Sequence, residues 1–363
     1  MANTWLKFLF SVGKFLTITP PYNSRTSRLQ TICTLIVVTL QVSFMLFSVI
    51  TRELKAVHIC AKVVVGVLVD LFLLTFSCHT ALSVVLWKKT QWHKLIGNLK
   101  IIASNKENRK KIVHNVKISF MRLVTDLTIL IVEYSFWMER HSFSNYVQVY
   151  NAHYFEYYLV FSFNTFLSLI LNVVLIQYRH LNHILQQQIS SAKLVTNNLS
   201  KLLSEIESSL FFQKDTVDLI NDIFGWPLAL IISYTTLYIL NNLDFVFQNS
   251  LIPDDKIAFK ILADTILVLL TFTGTSVVII TCDLILRETE TMLTKSYVLR
   301  RHTEMLSPKE KEKLIQFSDV IQQNFPRFSA ARFFNIDRST ILSILTTVVT
   351  FLIIMIQFQS SNM

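Results

Sequence analysis

The chain has 363 residues, of which 52% are apolar and only 16% are charged. A soluble domain typically carries about 25% charged residues, so the composition excludes an ordinary water-soluble protein and indicates a membrane protein. The net charge of +10 does not indicate a nucleic-acid partner, because the basic residues concentrate in alternate connections of the chain.

Residues 1–28 contain an apolar run, but Lys14 interrupts it and no small-residue cleavage site follows. We therefore interpret this stretch as a short amphipathic segment rather than a signal peptide. Seven later segments have the roughly 20 mostly apolar residues that a membrane helix needs, and unpaired backbone groups in lipid require them to be helical. These segments are Leu29–Thr51, Ala61–Trp87, Ser119–Met138, Ala152–Tyr178, Val217–Val246, Ala258–Leu286 and Thr340–Phe358.

The basic residues orient these helices. Of the 34 lysines and arginines, 27 lie in the N-terminal segment and the connections 88–118, 179–216 and 287–339, and four lie in the opposite connections. The remaining three, Lys62, Arg122 and Lys260, lie near the ends of predicted helices. The positive-inside rule places the richer set in the cytoplasm, so we expect a cytoplasmic N-terminus and an extracellular C-terminus. The predicted parts are the cytoplasmic segment 1–28, helices one to four in 29–178, a cytoplasmic linker with anchor helices in 179–216, helices five and six in 217–286, a cytoplasmic anchor linker in 287–339, helix seven in 340–358 and the tail 359–363.

The connection before helix seven contains a helix signal. Ser307–Glu310 reads as a capping box with proline at the first helical position, and the helix should end before Pro326. Helix five contains Gly225–Pro227, which we interpret as the point where a cytoplasmic extension meets the membrane. We expect such extensions to pack together in the cytoplasm. The helix that follows the capping box should contribute one apolar face, formed by Leu314, Phe317 and Ile321.

This orientation is opposite to that of G-protein-coupled receptors. The chain also lacks their acidic-Arg-aromatic triplet after helix three and their Asn-Pro-x-x-Tyr in helix seven. We therefore expect that no G protein is required.

The end of the chain resembles a known family. Thr350-Phe351, five apolar residues and Gln357-Phe358 are similar to the signature of insect gustatory receptors, Thr-Tyr, five hydrophobic residues and Gln-Phe, with Phe351 in place of the usual tyrosine. Three further stretches resemble family patterns at the approach to helix seven, the inner end of helix four and the start of helix five: Phe334–Asp337, Arg179 with Leu181-Asn182, and Asn221–Leu228.

The resemblance implies a homo- or heterotetrameric, ligand-gated, non-selective cation channel in the plasma membrane of gustatory neurons. Helix seven of each subunit would line a central pore, and the cytoplasmic extensions would hold the subunits together. A small-molecule tastant would bind among the first six helices. The partners implied are the tastant, other receptor subunits and membrane lipids.

Helical spacing puts one stripe of helix seven in a position to line that pore: Thr350, Ile354, Gln357 and Phe358. In four copies, Ile354 and Phe358 would form apolar rings that close by dewetting, and the Gln357 amides would contact partly dehydrated cations. The alternative is that Gln357 lies at the headgroup boundary, where polar residues cost little.

Ionisable and aromatic residues gather in the outer halves of the predicted helices. Ionisable groups inside membranes are usually functional or paired, and aromatic rings bind cations, which favours a small polar or alkaloid-like ligand. The alternatives are an interfacial aromatic belt and, for two of the carboxylates, pairing with Lys62 or exposure to a watery vestibule. The candidate ligand residues are Asp70, Glu133, Tyr134, Trp137, Tyr154, Glu156, Tyr157, Tyr238, Asn241 and Asp244.

Enzyme activity is not expected. His180 and His183 have a spacing that can bind metal, but no further cluster accompanies them, and the four cysteines have no metal-type spacing, so we expect no metal and no cofactor.

A transporter would show a repeated half or paired broken helices, which the sequence lacks. The related insect odorant receptors are the closer alternative. Leu352 stands where sugar receptors often have glutamate, which favours a bitter or orphan tastant.

Overall fold

The computed structural model describes residues 2–22, 28–53, 61–140, 151–190, 196–249, 255–301 and 308–360. These residues form an all-α fold with one small antiparallel hairpin, and a π-helical turn over Ser83–Trp87 continues α3. The helices are α1 (Ala2–Phe15), α2 (Arg28–Glu53), α3 (Ala61–Leu82), α4 (Lys89–Ser104), α5 (Lys106–Arg140), α6 (Asn151–Ser190), α7 (Thr196–Asn249), α8 (Asp255–Arg301), α9 (Pro308–Gln323) and α10 (Arg338–Ser360), and the strands are β1 (Ser329–Ala330) and β2 (Phe334–Asn335).

Each of the seven predicted membrane segments lies within one helical element of the described chain. Six of these elements are long and apolar enough to cross a membrane, namely α2, α3 with its π-helical turn, α6, α7, α8 and α10. The remaining element, α5, is not in that group, since Arg122, Asp126 and Glu133 interrupt its apolar part.

The two faces of α5 explain how it carries these charges. Asp126 and Glu133 are buried in the bundle beside Leu123 and Leu130, which is where ionisable groups of membrane helices normally lie. The charged composition of α5 is therefore compatible with a seventh membrane helix. Its outward face is apolar: Ile118, Met121, Val124, Leu127, Ile131 and Val132 are all exposed.

Helix α6 is the centre of the bundle. Of an 18-residue window within its apolar stretch Phe155–Gln187, 94% of the residues are buried, because α5 and α8 pack along it and α3 and α4 contact it as well. A helix enclosed in this way is apolar all round. Polar side chains on its enclosed part, such as Glu156 and Asn164, are consequently held inside the protein.

Several helices extend well beyond the thickness of a bilayer. Helix α7 has 54 residues, so it is about 80 Å long, whereas the hydrocarbon core is about 30 Å thick. It runs through Pro227 without a break. The boundaries predicted at 178/179 and 216/217 therefore fall inside α6 and α7. The helices continue there because they still have apolar faces to bury, as Leu203 and Ile206 do.

Helix α9 packs against α7 and α8 at the end of the bundle where the basic connections gather; this is called the basic end below. The three side chains predicted to share a face, Leu314, Phe317 and Ile321, are all buried there. The helix ends at Gln323, before Pro326, as predicted. It begins at the predicted proline, while Ser307 of the capping box lies outside the described residues.

The N-terminal helix α1 is amphipathic, as predicted, and its apolar face packs on α4 and α5. Leu6, Leu9 and Phe10 are buried. The Tyr22 ring lies 5.4 Å from that of Phe10, and the Lys100 ammonium lies 4.4 Å from the centre of the Tyr22 ring. Burial raises the pKa of the Tyr22 hydroxyl to about 12. The segment is thus bound to the bundle through side-chain packing.

Candidate functional site

Four helices bring acidic and tyrosine side chains together at the end of the bundle opposite the basic end. Helix α3 supplies Asp70, α6 supplies Glu156 and Tyr157, α7 supplies two tyrosines and α8 supplies Asp264. These side chains are buried or half-buried although most of them can carry charge. This carboxylate–tyrosine cluster consists of Asp70, Glu156, Tyr157, Tyr234, Tyr238 and Asp264.

The tyrosine rings of the cluster form one aromatic wall. Tyr234 and Tyr238 are one helical turn apart on α7 and stack, with ring centres 5.4 Å apart and an angle of 14° between the planes. The Tyr157 ring lies 5.7 Å from that of Tyr238, and their side chains are hydrogen-bonded. Ring faces arranged in this way can bind an organic cation.

Glu156 is the most strongly buried carboxylate of the cluster, with 1% of its surface exposed. Neither of its carboxylate oxygens accepts a hydrogen bond from any residue that the structure describes, and Asp70 lies close enough to repel it. A buried carboxylate without a partner is energetically costly. A cationic or hydrogen-bond-donating ligand would remove that cost, so the arrangement is suited to binding such a ligand.

A polar layer lies deeper in the bundle, below the cluster. The hydroxyls of Thr235 and Thr275 are 3.0 Å apart, and the Asn164 amide donates to Thr275 Oγ1 at 3.5 Å. Asn164 is eight residues from Glu156 on α6, a distance of about 12 Å. A side chain at Gly274 would place its Cβ 3.0 Å from Asn164 Nδ2 and 3.2 Å from an Arg122 nitrogen. The glycine therefore lets two polar side chains approach α8 closely.

The structure brings together only part of the predicted ligand set. Asp70, Glu156, Tyr157 and Tyr238 belong to the cluster, and Glu133 on α5 is close enough to affect Tyr157 electrostatically. The structure places these residues in one region, and their contact with a ligand remains a prediction.

The other predicted ligand residues lie differently. Asp244 accepts two hydrogen bonds of 2.9 Å from Gln248 of its own helix, so its carboxylate is already satisfied. Tyr134 and Asn241 are half-buried. The side chains of Trp137 and Tyr154 lie outside the described residues.

Tyr234 and Asp264 are cluster members that the sequence analysis missed. Tyr234 is four residues before Tyr238, a spacing that places both on one helix face. Asp264 is an acidic residue in the outer part of an apolar helix, the same signal that identified Asp70. Applying these two rules to every predicted helix would have found both residues.

The last helix, α10, has little contact with the rest of its own chain. Of an 18-residue window within its apolar stretch Arg338–Gln357, 11% of the residues are buried. The buried residues lie at its beginning, where Thr340 and Ile344 face α7 and α8, and from residue 345 to 357 no side chain is buried. The part of this helix after Ile344 is therefore available to lipid or to another protein chain.

The predicted pore stripe lies in that uncovered half. Thr350, Ile354 and Gln357 are exposed, and the side chain of Phe358 lies outside the described residues. The Thr350 hydroxyl donates to the Thr346 carbonyl at 2.8 Å, and Thr347 and Ser343 bond to their own helix in the same way. These bonds satisfy the hydroxyls and make a polar stripe tolerable in an apolar helix.

Two residues that carry the family resemblance join α6 to α8 at the basic end. Arg179 Nε lies 3.0 Å from Glu288 Oε1. The Asn182 amide donates to the Glu288 carbonyl at 2.7 Å and to its carboxylate at 2.8 Å. Lys295 Nζ donates to the Asn182 carbonyl at 3.1 Å. The resemblance thus falls on residues with a structural role.

Asn221, in another of the resembling stretches, ties the hairpin to α7. Its amide donates to the Arg327 carbonyl at 2.6 Å, and its carbonyl oxygen accepts the Ser329 N–H at 3.1 Å. Asp337, in the last resembling stretch, caps α10 by accepting the Ser339 N–H at 2.9 Å. Both residues therefore fix the backbone that leads into the last helix.

No three or more histidine, cysteine, aspartate or glutamate residues are grouped as metal ligands in the described part of the chain. Of the two histidines with metal-like spacing, His180 pairs with Glu107 instead, with Nδ1 2.9 Å from the carboxylate. His180 therefore has a structural role in an ion pair.

The sequence pattern of the 7tm chemosensory receptor family matches residues 6–362. No curated protein matches the chain by sequence. Among solved structures, the insect olfactory receptor OR5 from Machilis hrabei in complex with eugenol is similar, with 12% identity, a TM-score of 0.70 and coverage of 98% of both chains. A second structure of that receptor gives 13% identity, a TM-score of 0.68 and coverage of 98% of both chains.

At such low identity the solved structures show a shared fold. The family pattern adds to this because it extends over nearly the entire chain, including the last helix and its Gln357-Phe358 pair. The apolar helices agree with a multi-pass membrane protein. This chain therefore belongs to the 7tm chemosensory receptor family.

Proposed function

We propose that this chain is a gustatory receptor that acts as a tastant-gated, non-selective cation channel of four subunits in the plasma membrane of gustatory neurons. Membership of a chemosensory receptor family supports the sensory role. The stretch from Thr350 to Phe358 favours the gustatory branch by its resemblance to that signature. The observation that carries the channel proposal is the uncovered last helix.

Helix α10 has the properties expected of a pore helix. In an 18-residue apolar window of α10 only 11% of the residues are buried within the subunit, whereas the corresponding window of α6 is 94% buried. A helix surrounded only by lipid would gain nothing from a polar stripe that includes Ser343, Thr347, Thr350 and Gln357. Four copies around a closed symmetry axis would turn that stripe towards an ion pathway, and the apolar ring at Ile354 would gate it by dewetting.

The ligand that fits the carboxylate–tyrosine cluster is a small organic cation, such as a protonated amine. Glu156 would supply the countercharge, and the wall of tyrosines would supply ring faces. Leu352, at the position where sugar receptors often have glutamate, agrees with a bitter or orphan tastant rather than a sugar. No catalysis, cofactor or G protein is part of this proposal.

Recording from cells that express the chain alone tests the proposal. We expect cation currents that begin when a protonated amine tastant is applied. Ile354→Ala and Gln357→Ala should change conductance or ion preference with little change in tastant sensitivity, because they alter the pathway and not the ligand site. Ile356→Ala is a matched control: Ile354 and Ile356 are 43% and 48% exposed, but Ile356 lies about 200° around the helix.

Currents that Ile354→Ala and Gln357→Ala leave unchanged would contradict a pore lined by this stripe. Tastant-driven uptake of a solute without channel currents would identify a transporter instead. An odorant receptor is the second candidate, because the similar solved structures are of an olfactory receptor. Activation by volatile phenols, with no response to involatile amines, would favour that candidate.

A further inference from the structure

A polar cleft lies at the basic end of the bundle, outside the ligand and pore regions. Its volume is about 940 Å³. Its walls are formed by α7, by the hairpin of β1 and β2, and by Lys88, which follows the π-helical turn. Lys88 in the wall directly follows the apolar stretch that ends at Trp87, and the hairpin directly precedes the stretch that begins at Arg338. The cleft therefore lies at the level where two membrane helices end.

The cleft contains more basic than acidic side chains, with Lys88, Arg327 and Arg332 against Asp218 and Asp222. Lys88 Nζ lies 2.6 Å from Asp222 Oδ1, so these two residues neutralise each other. Arg327 and Arg332 form no ion pair with any residue that the structure describes. The remaining acid in the lining is Asp218, which is exposed. The cleft is consequently positive overall and suited to a phosphate group.

The backbone that carries these arginines is held in place. Asn221 binds the Arg327 carbonyl and the Ser329 N–H, as described above. Arg332 lies in the three-residue loop of the hairpin, where Ala331 and Arg332 have φ of 51° and 66°. This left-handed turn is closed by a hydrogen bond from the Phe333 N–H to the Ala330 carbonyl at 2.9 Å. The two guanidinium groups thus approach one cleft from fixed backbone positions.

Two aromatic rings border the cleft. Trp226 of α7 and Phe333 of the hairpin are 51% and 69% exposed, and they contact each other edge to face with ring centres 5.3 Å apart. Exposed aromatic rings at the end of a membrane helix are typical of the lipid–water interface. Basic pockets at such a position bind anionic headgroups.

We propose that this cleft binds the headgroup of an anionic phospholipid in the leaflet on the basic side of the membrane. Arg327 and Arg332 contact the headgroup phosphate, and Trp226 and Phe333 lie against the first carbons of the acyl chains. The hairpin continues into α10, so an occupied cleft also stabilises the backbone from which the last helix begins.

Lipid binding to the purified full-length chain in neutral detergent tests this site. The probes are dioleoyl phosphatidylglycerol, dioleoyl phosphatidylcholine and water-soluble glycerol 3-phosphate, and bound lipid is counted by native mass spectrometry. The wild type should prefer the anionic lipid. Removing both charges in the variant Arg327→Gln/Arg332→Gln should weaken phosphatidylglycerol binding about 30-fold. The control variant, Lys110→Gln/Lys111→Gln, removes two exposed lysine charges from α5 and should leave the binding unchanged.

The variant Phe333→Ser is an independent check that does not alter charge. It should weaken the binding of dioleoyl phosphatidylglycerol, because an acyl-chain contact is lost, and it keeps the test valid if the double arginine variant does not fold. Equal loss in both double variants would indicate unspecific charge attraction and would overturn the proposal. Glycerol 3-phosphate that binds as tightly as the lipid would assign the cleft to a soluble phosphate ester and would also overturn it.

Discussion

Glu156 is buried because of the helices packed around it and not because its carboxylate has a bonding partner among the described residues. The helices packed around α6 bury the Glu156 side chain to 1% exposure. Asp70 and Tyr234 lie within electrostatic range of its carboxylate, and neither is a cation. Such a site costs stability when it is empty. We interpret this cost as the source of the selectivity for a cationic ligand.

Glu156→Gln tests this interpretation at the residue scale. The variant keeps the shape of the side chain and removes its charge, so the sensitivity to protonated amine tastants should fall about 10- to 100-fold, the effect of one charge-assisted hydrogen bond. The free energy of unfolding without tastant should not decrease, because an uncompensated buried charge is removed. Dose–response currents and thermal unfolding measure the two effects.

The matched control is Glu290→Gln, an exposed carboxylate 26 residues from Asp264 on α8 and therefore about 39 Å away along the helix. It should change neither quantity. Glu156→Gln with full tastant sensitivity would show that the cluster does not bind the ligand through this charge.

The packing of the hairpin against α7 depends on a residue without a side chain. A Cβ at Gly225 would lie 3.1 Å from the Ala331 nitrogen and 3.4 Å from both Ala331 Cα and the Ser329 carbonyl oxygen. These neighbours are backbone atoms of the segment that precedes α10, so they cannot move aside by a change of rotamer. Gly225 therefore sets how closely the hairpin approaches α7.

Gly225→Ala should separate these two elements. We expect a loss of about 1–3 kcal/mol in the free energy of unfolding, the usual cost of overpacking. Gly97→Ala is the control: its Cβ would meet nothing within 4 Å, and alanine should stabilise helix α4 by up to about 1 kcal/mol. Thermal unfolding of the two purified variants measures the difference. Equal stability would mean that the hairpin has room to shift.

Among the described helices that are long and apolar enough to cross a membrane, α10 is the least covered by its own chain, followed by α2. Helix α10 is attached to the bundle only at its beginning, and its second half presents apolar and hydroxyl side chains outwards. In a single subunit, Ser343 and Thr347 line a small pocket beside Thr236 of α7, whereas Thr350 and Gln357 are exposed. We expect an assembly of several copies to cover these exposed side chains, because each copy would cover part of the others.

Cross-linking measures the distance between the last helices of neighbouring subunits. In a chain whose exposed Cys33 and Cys60 are replaced by serine, Ile354→Cys treated with a short bismaleimide should give a ladder of up to four subunits on a denaturing gel. Ile356→Cys should give less product, because that residue is turned away from the axis. A single monomer band from Ile354→Cys would contradict the central arrangement.

Some features of this protein follow from its sequence alone, because they depend on local composition. Each predicted apolar segment is helical in the structure, since lipid allows a spanning chain few alternatives to a helix. The face formed by Leu314, Phe317 and Ile321 followed from helical periodicity. The Gln357-Phe358 pair identified the family through a pattern confined to one helix.

Other features required the tertiary structure, because they depend on which residues from distant helices meet. Spacing within a helix could not show that Glu156 has no hydrogen-bond donor beside it, that Asp244 is satisfied by Gln248, or that Tyr234 and Asp264 complete the cluster. The aromatic belt remained an equal explanation until packing turned Tyr238 into the bundle. The cleft between α7 and the hairpin likewise depends on contacts between residues more than 100 positions apart. Sequence periodicity does not predict contacts of this kind.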